Sequence, residues 1–408
     1  MLCSPIENAR TLYRLAAEHG VADSIRFVTV EHSRFGAWCY AKDLLHLHGY
    51  RQWHGRAIQR ARRLHAKKPF DLVHQVNFCG FREPGFGWTL GLPFVWGPVG
   101  GTQNFPLRYL GLTCPLSGAR EVLRNAVNSF QLRHSSRLQK AARHASTVLA
   151  ATRCAQRDLR CYSGIEAGLE LEAGLDHDPL PPRMRRDPAQ PIRLLWTGRL
   201  RAWKGLPLLL RAAAKLPADV PFELRVLGEG ACESSYKKLA EKLGIADRTQ
   251  WVGWGDYPTT LPHYEWADLF VFTSLRDTSG AGLLEALAAG APIIGLDHQG
   301  AADIMSPSCA VPIPLSHPSE TIDRIQAAIA RLAQDPDRHL RLSRGAQQRA
   351  HAFVWRKRVN ALENLYSRVL SGDATIAHVD DHAEDRAGIA ESELSALTTN
   401  TPVMEQAG

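Results

Sequence analysis

The 408-residue chain has no apolar run long enough to cross a bilayer, and its first residues lack the charged–apolar–small pattern of a secretory signal. Its 8 cysteines (Cys3, Cys39, Cys79, Cys114, Cys154, Cys161, Cys232 and Cys309) are scattered, with no Cys-x-x-Cys and no Cys/His spacing of a zinc site. Such usage fits reduced thiols in a cytosolic protein. The Gly-x-x-x-x-Gly-Lys-Ser/Thr string is absent, which excludes a P-loop NTPase, and no repeat of solenoid type is visible. The expected location is the cytoplasm, with peripheral contact on the inner face of the membrane as the variant to consider.

Charge is present in both signs but unevenly placed. The net charge is +8; residues 1–190 hold 26 Lys/Arg against 15 Asp/Glu, a net of +11, which leaves −3 for the remainder. The densest basic stretch, Arg51–Lys68 (RQWHGRAIQRARRLHAKK), can form a helix. A basic helix carrying Trp53 could touch anionic headgroups. The favoured reading is a solvated face with Ile58, Ala61 and Leu64 turned to the core. No recognition motif accompanies the charge, so nucleic acid is not an expected partner.

The length and the 45% hydrophobic fraction suit two domains. In the first half, 24–30, 70–76, 93–96 and 146–151 read as strands, 4–20 as a helix and about 36–67 as a second helical region. The Pro- and charge-rich stretch 176–191 reads as a linker. Beyond it, strands at 192–197, 222–227, 249–252, 268–273, 292–296 and 309–313 alternate with helices, the pattern of a doubly wound parallel sheet. Helices follow at about 317–333, 337–353 and 354–370. From 372 to 408 aromatics and apolar periodicity disappear, and disorder is expected.

The richest stretch is 266–300, WADLFVFTSLRDTSGAGLLEALAAGAPIIGLDHQG. It reads as a buried strand, a turn at Thr278–Gly280, a helix over 281–289 closed by Gly290, and a second buried strand. Backbone N–H groups of that helix then lie at the carboxyl edge of a parallel sheet, where anions bind. Asp277 precedes the helix and Glu285 lies on it, seven residues between them. Amides for a diphosphate and carboxylates for hydroxyls suit a nucleotide-linked sugar. Upstream, WTGRLRAWKG places Gly198 in a tight turn and the cations Arg199 and Lys204 near the same edge. Two cations there can neutralise a diphosphate and the charge that grows on it as a leaving group.

These strings resemble the retaining GT-B glycosyltransferases of glycosyltransferase family 4, the bacterial group 1 type. Asp277 stands where the family's E-x7-E signature has its first Glu, and Glu285 keeps the second. The segment Gly198-Arg-Leu with Lys204-Gly205 resembles the family's G-R-L-x3-K-G, whose Arg and Lys hold the donor diphosphate. Gly228-x-Gly230 resembles the turn below the nucleotide. The WVGW string resembles the segment near the base, although Trp251 and Trp254 are more often core residues. In the first half FDLVHQVNF and WGPVGG resemble acceptor-side loops of a bacterial subgroup, with Gly97, Gly100 and Gly101 in the turn. There His74 would face the cleft, and the alternative, a satisfied structural histidine, stays open.

The resemblance implies two Rossmann-like domains facing a cleft, drawn at 1–185 and 186–353, with a C-terminal helix over 354–371. It implies a hexosyl transfer from a UDP- or GDP-linked sugar to a glycan or lipid-linked acceptor, with no cofactor and no metal. Arg199, Lys204, Gly198, Gly280, Gly282 and Glu285 would bind the donor; Asp277 and His74 would serve catalysis. No strand-end Asp-x-Asp of metal-dependent transferases is found. The family normally opens with a strand, a Gly-rich loop and a helix, whereas MLCSPIENARTLYRL resembles the end of the second strand and the helix after it. An upstream start is therefore expected. The rivals are a transferase relic acting as a binding protein and a sugar-nucleotide epimerase.

Overall fold

A computed structural model describes residues 2–3, 6–42, 45–76, 80–181, 183–255 and 257–373. The tail expected to be disordered lies outside them from 374 onward. In the second half six strands, β7 (Ile192–Thr197), β8 (Phe222–Leu227), β9 (Thr249–Gly253), β10 (Leu269–Phe272), β11 (Ile293–Leu296) and β12 (Ala310–Ile313), form one parallel sheet in the order β12-β11-β10-β7-β8-β9. Leu194, Val226, Leu269 and Ile294 pack in one buried layer, and Leu195, Phe270, Leu284 and Ile293 in another. A strand covered on both faces must be apolar throughout, which is why these runs were readable. The order reverses between β7 and β10, so their outgoing loops diverge and leave a crevice at the carboxyl edge.

The first half is built differently. Here β3 (Val73–Gln75), β4 (Phe94–Val99), β5 (Thr147–Ala150) and β6 (Gly168–Leu169) form a four-stranded parallel sheet in sequence order. Separately, β1 (Leu2–Cys3) pairs in parallel with β2 (Val28–Thr29), with the Ile6–Glu18 helix between them. The strand expected over 24–30 is thus two residues long and, among the described residues, pairs with β1 alone. The helical region expected over 36–67 splits into Arg34–Tyr40 and His46–His65, which meet at Gly49; a Cβ there would lie 2.5 Å from the Tyr40 nitrogen.

On that second helix Trp53 is buried and its Nε1 donates to the Val30 carbonyl at 2.7 Å. Ile58 and Ala61 are buried beside it. Trp53 thus belongs to the core, and Arg56, Arg60, Arg62 and Arg63 form the solvated face of the favoured reading. No described helix is long and apolar enough to cross a membrane.

Several contacts join the halves. The linker is strapped down: Arg183 donates to the carbonyls of Ala289, Ala267 and Tyr264 in the second half. The chain then returns, and the Trp355–Leu370 helix sets Leu365 and Val369 against Val95 and Leu149 of the first sheet. The first half repays the contact through Phe105 and Tyr109, which lie in the second half's core; the Tyr109 hydroxyl meets Thr321 Oγ1 at 2.7 Å.

Candidate functional site

The crevice edge is shaped by backbone contacts that only glycine permits. At Gly228 (φ +145°) a Cβ would fall 1.9 Å from the Gly198 carbonyl oxygen, so the turns after β7 and β8 touch backbone to backbone. At Gly205 (φ +66°) a Cβ would lie 2.2 Å from the Thr273 carbonyl oxygen. That contact presses the loop after β7 onto the end of β10, and Thr273 Oγ1 donates to the Lys204 carbonyl at 3.0 Å. Lys204 is thereby delivered across the switch point.

There its Nζ forms an ion pair with Asp277 Oδ2, both side chains being about one-fifth exposed. The other oxygen, Asp277 Oδ1, accepts from the Thr278 amide at 3.0 Å, and the Asp277 amide donates to Gln299 Oε1 at 2.9 Å. Arg199 is exposed, with no side-chain partner among the described residues. The structure therefore brings Lys204 and Asp277 together and leaves Arg199 at the solvent rim.

Gly280, at φ +61°, caps the Ala281–Ala288 helix. A Cβ on Gly282 would sit 2.8 Å from Thr197 Oγ1 and 3.0 Å from the Tyr264 hydroxyl. These two oxygens are 2.9 Å apart, and Tyr264 also hydrogen-bonds Glu285. Burial raises the Glu285 carboxyl above its ordinary range, while the Tyr264 hydroxyl and His177 oppose the rise. Ser279, before the helix, donates to Glu172 Oε1 at 2.8 Å. Trp254 corrects the core expectation for WVGW: it stands 63% exposed, its amide donating to Glu229 Oε1 at 3.2 Å.

Facing this edge is the turn after β4. Gly97 (φ +136°), expected in this turn, lies instead within β4 and against β5, where a Cβ would come within 2.3 Å of the Leu149 carbonyl oxygen. Gly100 bridges to Gly80, and Gly101 adopts φ +76°. Gln299 Nε2 donates to the Asn104 carbonyl at 3.0 Å, so a single side chain ties this turn to the Asp277 amide. His74 is placed elsewhere: Nδ1 meets the Tyr366 hydroxyl at 2.6 Å and Nε2 the Gly97 carbonyl at 2.9 Å. Burial lowers its pKa. Both ring nitrogens are engaged, as in the structural reading of that residue. Among the described residues no group of three His, Cys, Asp or Glu could hold a metal ion.

Residues 184–349 match the family model described as glycosyl transferases group 1. The second half is a group 1 glycosyltransferase domain. The D-inositol 3-phosphate glycosyltransferase of Geodermatophilus obscurus is 29% identical over 215 residues, 50% of this chain and 46% of that protein. The lipopolysaccharide core biosynthesis glycosyltransferase LpsE of Rhizobium meliloti is 33% identical over 113 residues, 28% and 32% of the two chains. The chain thus spans about half the length, or less, of these curated relatives. In solved structures, sucrose-phosphate synthase of Thermosynechococcus elongatus superposes with a TM-score of 0.60 at 18% identity, covering 85% of this chain and 84% of that one. HepE of Anabaena, in complex with UDP and glucose, gives 0.56 at 16%, with 88% of each covered. These likenesses establish the GT-B fold.

In the group 1 domain the residues that sequence reading missed are Thr197, Tyr264 and Gln299. Thr197 ends β7 next to Gly198 and could have been taken with it. Tyr264 lies on the Tyr257–Trp266 helix, far in sequence from Glu285, and nothing in the string marks it. Gln299 had one signal, its place between the strand end and Gly300 in DHQG. Its φ of +53° is rare for a residue with a Cβ, and strain of this kind gathers where a structure needs a side chain held.

Proposed function

We propose that the protein is a retaining glycosyltransferase moving a hexosyl group from a nucleotide diphosphate sugar to a glycan or lipid-linked acceptor, without a metal ion. The Lys204–Asp277 ion pair carries this reading. It lies at the switch point of a doubly wound sheet, beside a helix N-terminus that Gly280–Gly282 leave partly open. The sheet edge, the helix end and the cation together suit a diphosphate. When one enters, Lys204 and Arg199 would take its charge and Asp277 would turn to the sugar. Glu285, braced by Tyr264, would accept from the ribose hydroxyls. The relatives' names include an inositol phosphate acceptor and lipopolysaccharide core synthesis. They favour an acceptor from bacterial surface polysaccharide synthesis.

With retention, the acceptor hydroxyl would attack on the face the diphosphate leaves, and the leaving oxygen would take its proton. That step asks no side chain to act as base. A panel of UDP- and GDP-sugars tested by thermal shift checks the reading, since a ligand that binds only the folded chain raises Tm. One nucleotide-sugar is expected to raise it in the native chain and not in Lys204→Ala. No rise with any of them overturns the proposal. A strict requirement for added Mn²⁺ or Mg²⁺ during turnover overturns its metal-free form.

A further inference from the structure

Three guanidinium groups converge behind the Gly100–Phe105 turn with a single carboxylate among them. Arg276, next to Asp277 in the chain, forks onto Glu121 of the Pro115–His134 helix with both bonds at 3.0 Å, and that pair is nearly buried. Arg124, one turn further along the helix, donates to the Gln103 carbonyl at 2.9 Å. Arg82 donates to Gln131 Oε1 at 2.8 Å and to Asn128 Oδ1 at 2.5 Å. Among the described residues neither Arg82 nor Arg124 has a carboxylate partner. Glu121 is already committed to Arg276, so two cations are partly buried without a counter-charge.

Burying a charge is costly unless it is paired. The cost is visible at Arg124, whose pKa is pushed down to about 9 by burial first and then by Arg276 and Arg82, with Glu121 opposing. Burial and Arg276 likewise lower that of Arg82. Beside them Gln103 is 2% and Thr102 1% exposed, and Gln103 Nε2 and Thr102 Oγ1 lack any partner among the described residues. Arg124 and Asn128 hold Gln103 and Thr102 through their backbone carbonyls, so the two unused polar side chains belong to the turn that the uncompensated cations grip, and such a combination suits an oxyanion. Its distance from the proposed chemistry is short in hydrogen bonds. Arg82 holds Asn128, Asn128 Nδ2 donates to Asn104 Oδ1 at 3.0 Å, and the Asn104 carbonyl receives Gln299, which holds the Asp277 amide.

We infer that Arg82 and Arg124, with the Thr102–Gln103 donors and the Arg276–Glu121 pair fixed behind them, bind an oxyanion carried by the acceptor, a phosphate or a carboxylate. The role as acceptor subsite rests on the proposed transfer reaction; the anion site itself does not. Two guanidinium forks fit a tetrahedral or planar oxyanion better than a neutral sugar, and the anion would supply the charge the cluster lacks.

The test uses the full chain carrying Arg199→Ala and Lys204→Ala, so that the proposed donor edge cannot take up the probe. Inorganic phosphate and acetate are titrated separately at constant ionic strength while Tm is recorded. A saturable rise with either is expected, and it should vanish when Arg82→Gln and Arg124→Gln are added. Those two changes keep polar groups in place and remove unpaired charge, so Tm without probe should hold or increase. Arg124→Lys alone, which keeps the charge and loses the fork, should weaken the response about tenfold. A rise with phosphate alone assigns a phosphorylated acceptor, and one with acetate alone an acidic sugar. No rise with either probe, or a rise unchanged by the two Gln substitutions, overturns the site. If nucleotide-sugars fail to bind while phosphate binds here, the transfer reading falls and the anion site stands.

Discussion

At the switch point one cation meets one carboxylate, Lys204 with Asp277, and charge is balanced before any ligand arrives. Across the gap Glu121 is taken by Arg276, while Arg82 and Arg124 have no carboxylate partner among the described residues, and charge is not balanced. The two regions also differ in how they are held. The first is set by backbone contacts at Gly198, Gly205 and Gly228, the second by side-chain hydrogen bonds between residues far apart in the chain. A balanced site can wait empty at little cost, whereas an unbalanced one relies on whatever counter-charge it already contains.

Removing that counter-charge should therefore have the largest effect. Glu121→Gln leaves three guanidinium groups with no carboxylate, and losing one partner of a buried pair costs about 3–5 kcal/mol. Chemical denaturation of the variant should show a loss of this size, partly recovered in phosphate. An unchanged midpoint would mean that solvent already screens the cluster. At the balanced site, Lys204→Ala should lower kcat/KM by about 2–4 kcal/mol, the usual scale for a charged contact to a developing anion. Full turnover in that variant would remove the diphosphate assignment. Asp277→Glu, which restores the residue of the resembled signature, separates a specialised carboxylate from a degraded one: a gain in kcat identifies the latter.

Acid should probe both regions at once. Burial, with Arg137 adding to it, pushes His54 in the first half down to about 4. Burial and Arg157, against a hydrogen bond to Leu275, do the same to His298 beside Gln299. The unfolded chain keeps each near its ordinary value of about 6.5, so between these values it binds more protons than the folded chain. The associated stability is present in full above about pH 6.5 and is lost as pH falls toward 4, by up to about 3 kcal/mol per histidine. His54→Gln should flatten the fall in Tm between pH 7 and 4.5, and an equally steep fall would place the acid sensitivity elsewhere.

How much was legible follows the same division. The six strands of the second half lie within a residue or two of their expected positions, because strands buried on both faces announce themselves as apolar runs. Lys204 and Asp277 were readable because each sits in a short string of glycines and helix signals. In the first half the partners are remote: Arg276 finds Glu121 155 residues away, and His74 finds Tyr366 292 residues away on the returning C-terminal helix. No local pattern encodes such pairings. Between the strands of the first half the structure also forms helices over 115–134, 136–144 and 153–163.

Gln299 joins the two regions, and its replacement should give the smallest change in stability with the most specific readout. Its φ of +53° costs on the order of 1 kcal/mol, which Gln299→Gly would relieve. The same change removes hydrogen bonds to the Asp277 amide and the Asn104 carbonyl, each contributing about 1 kcal/mol. The net loss should be about 1 kcal/mol, a shift of a few degrees at most in a chain of this size. The functional effect should be larger than the stability effect, because the Asp277 loop and the Gly100–Phe105 turn would no longer be fixed relative to each other. The acceptor KM should rise while thermal shift by the nucleotide-sugar stays near the native value. If both donor and acceptor constants stay native, the bridge has no part in positioning. If donor binding collapses as well, Gln299 supports the Asp277 loop itself rather than the link between the halves.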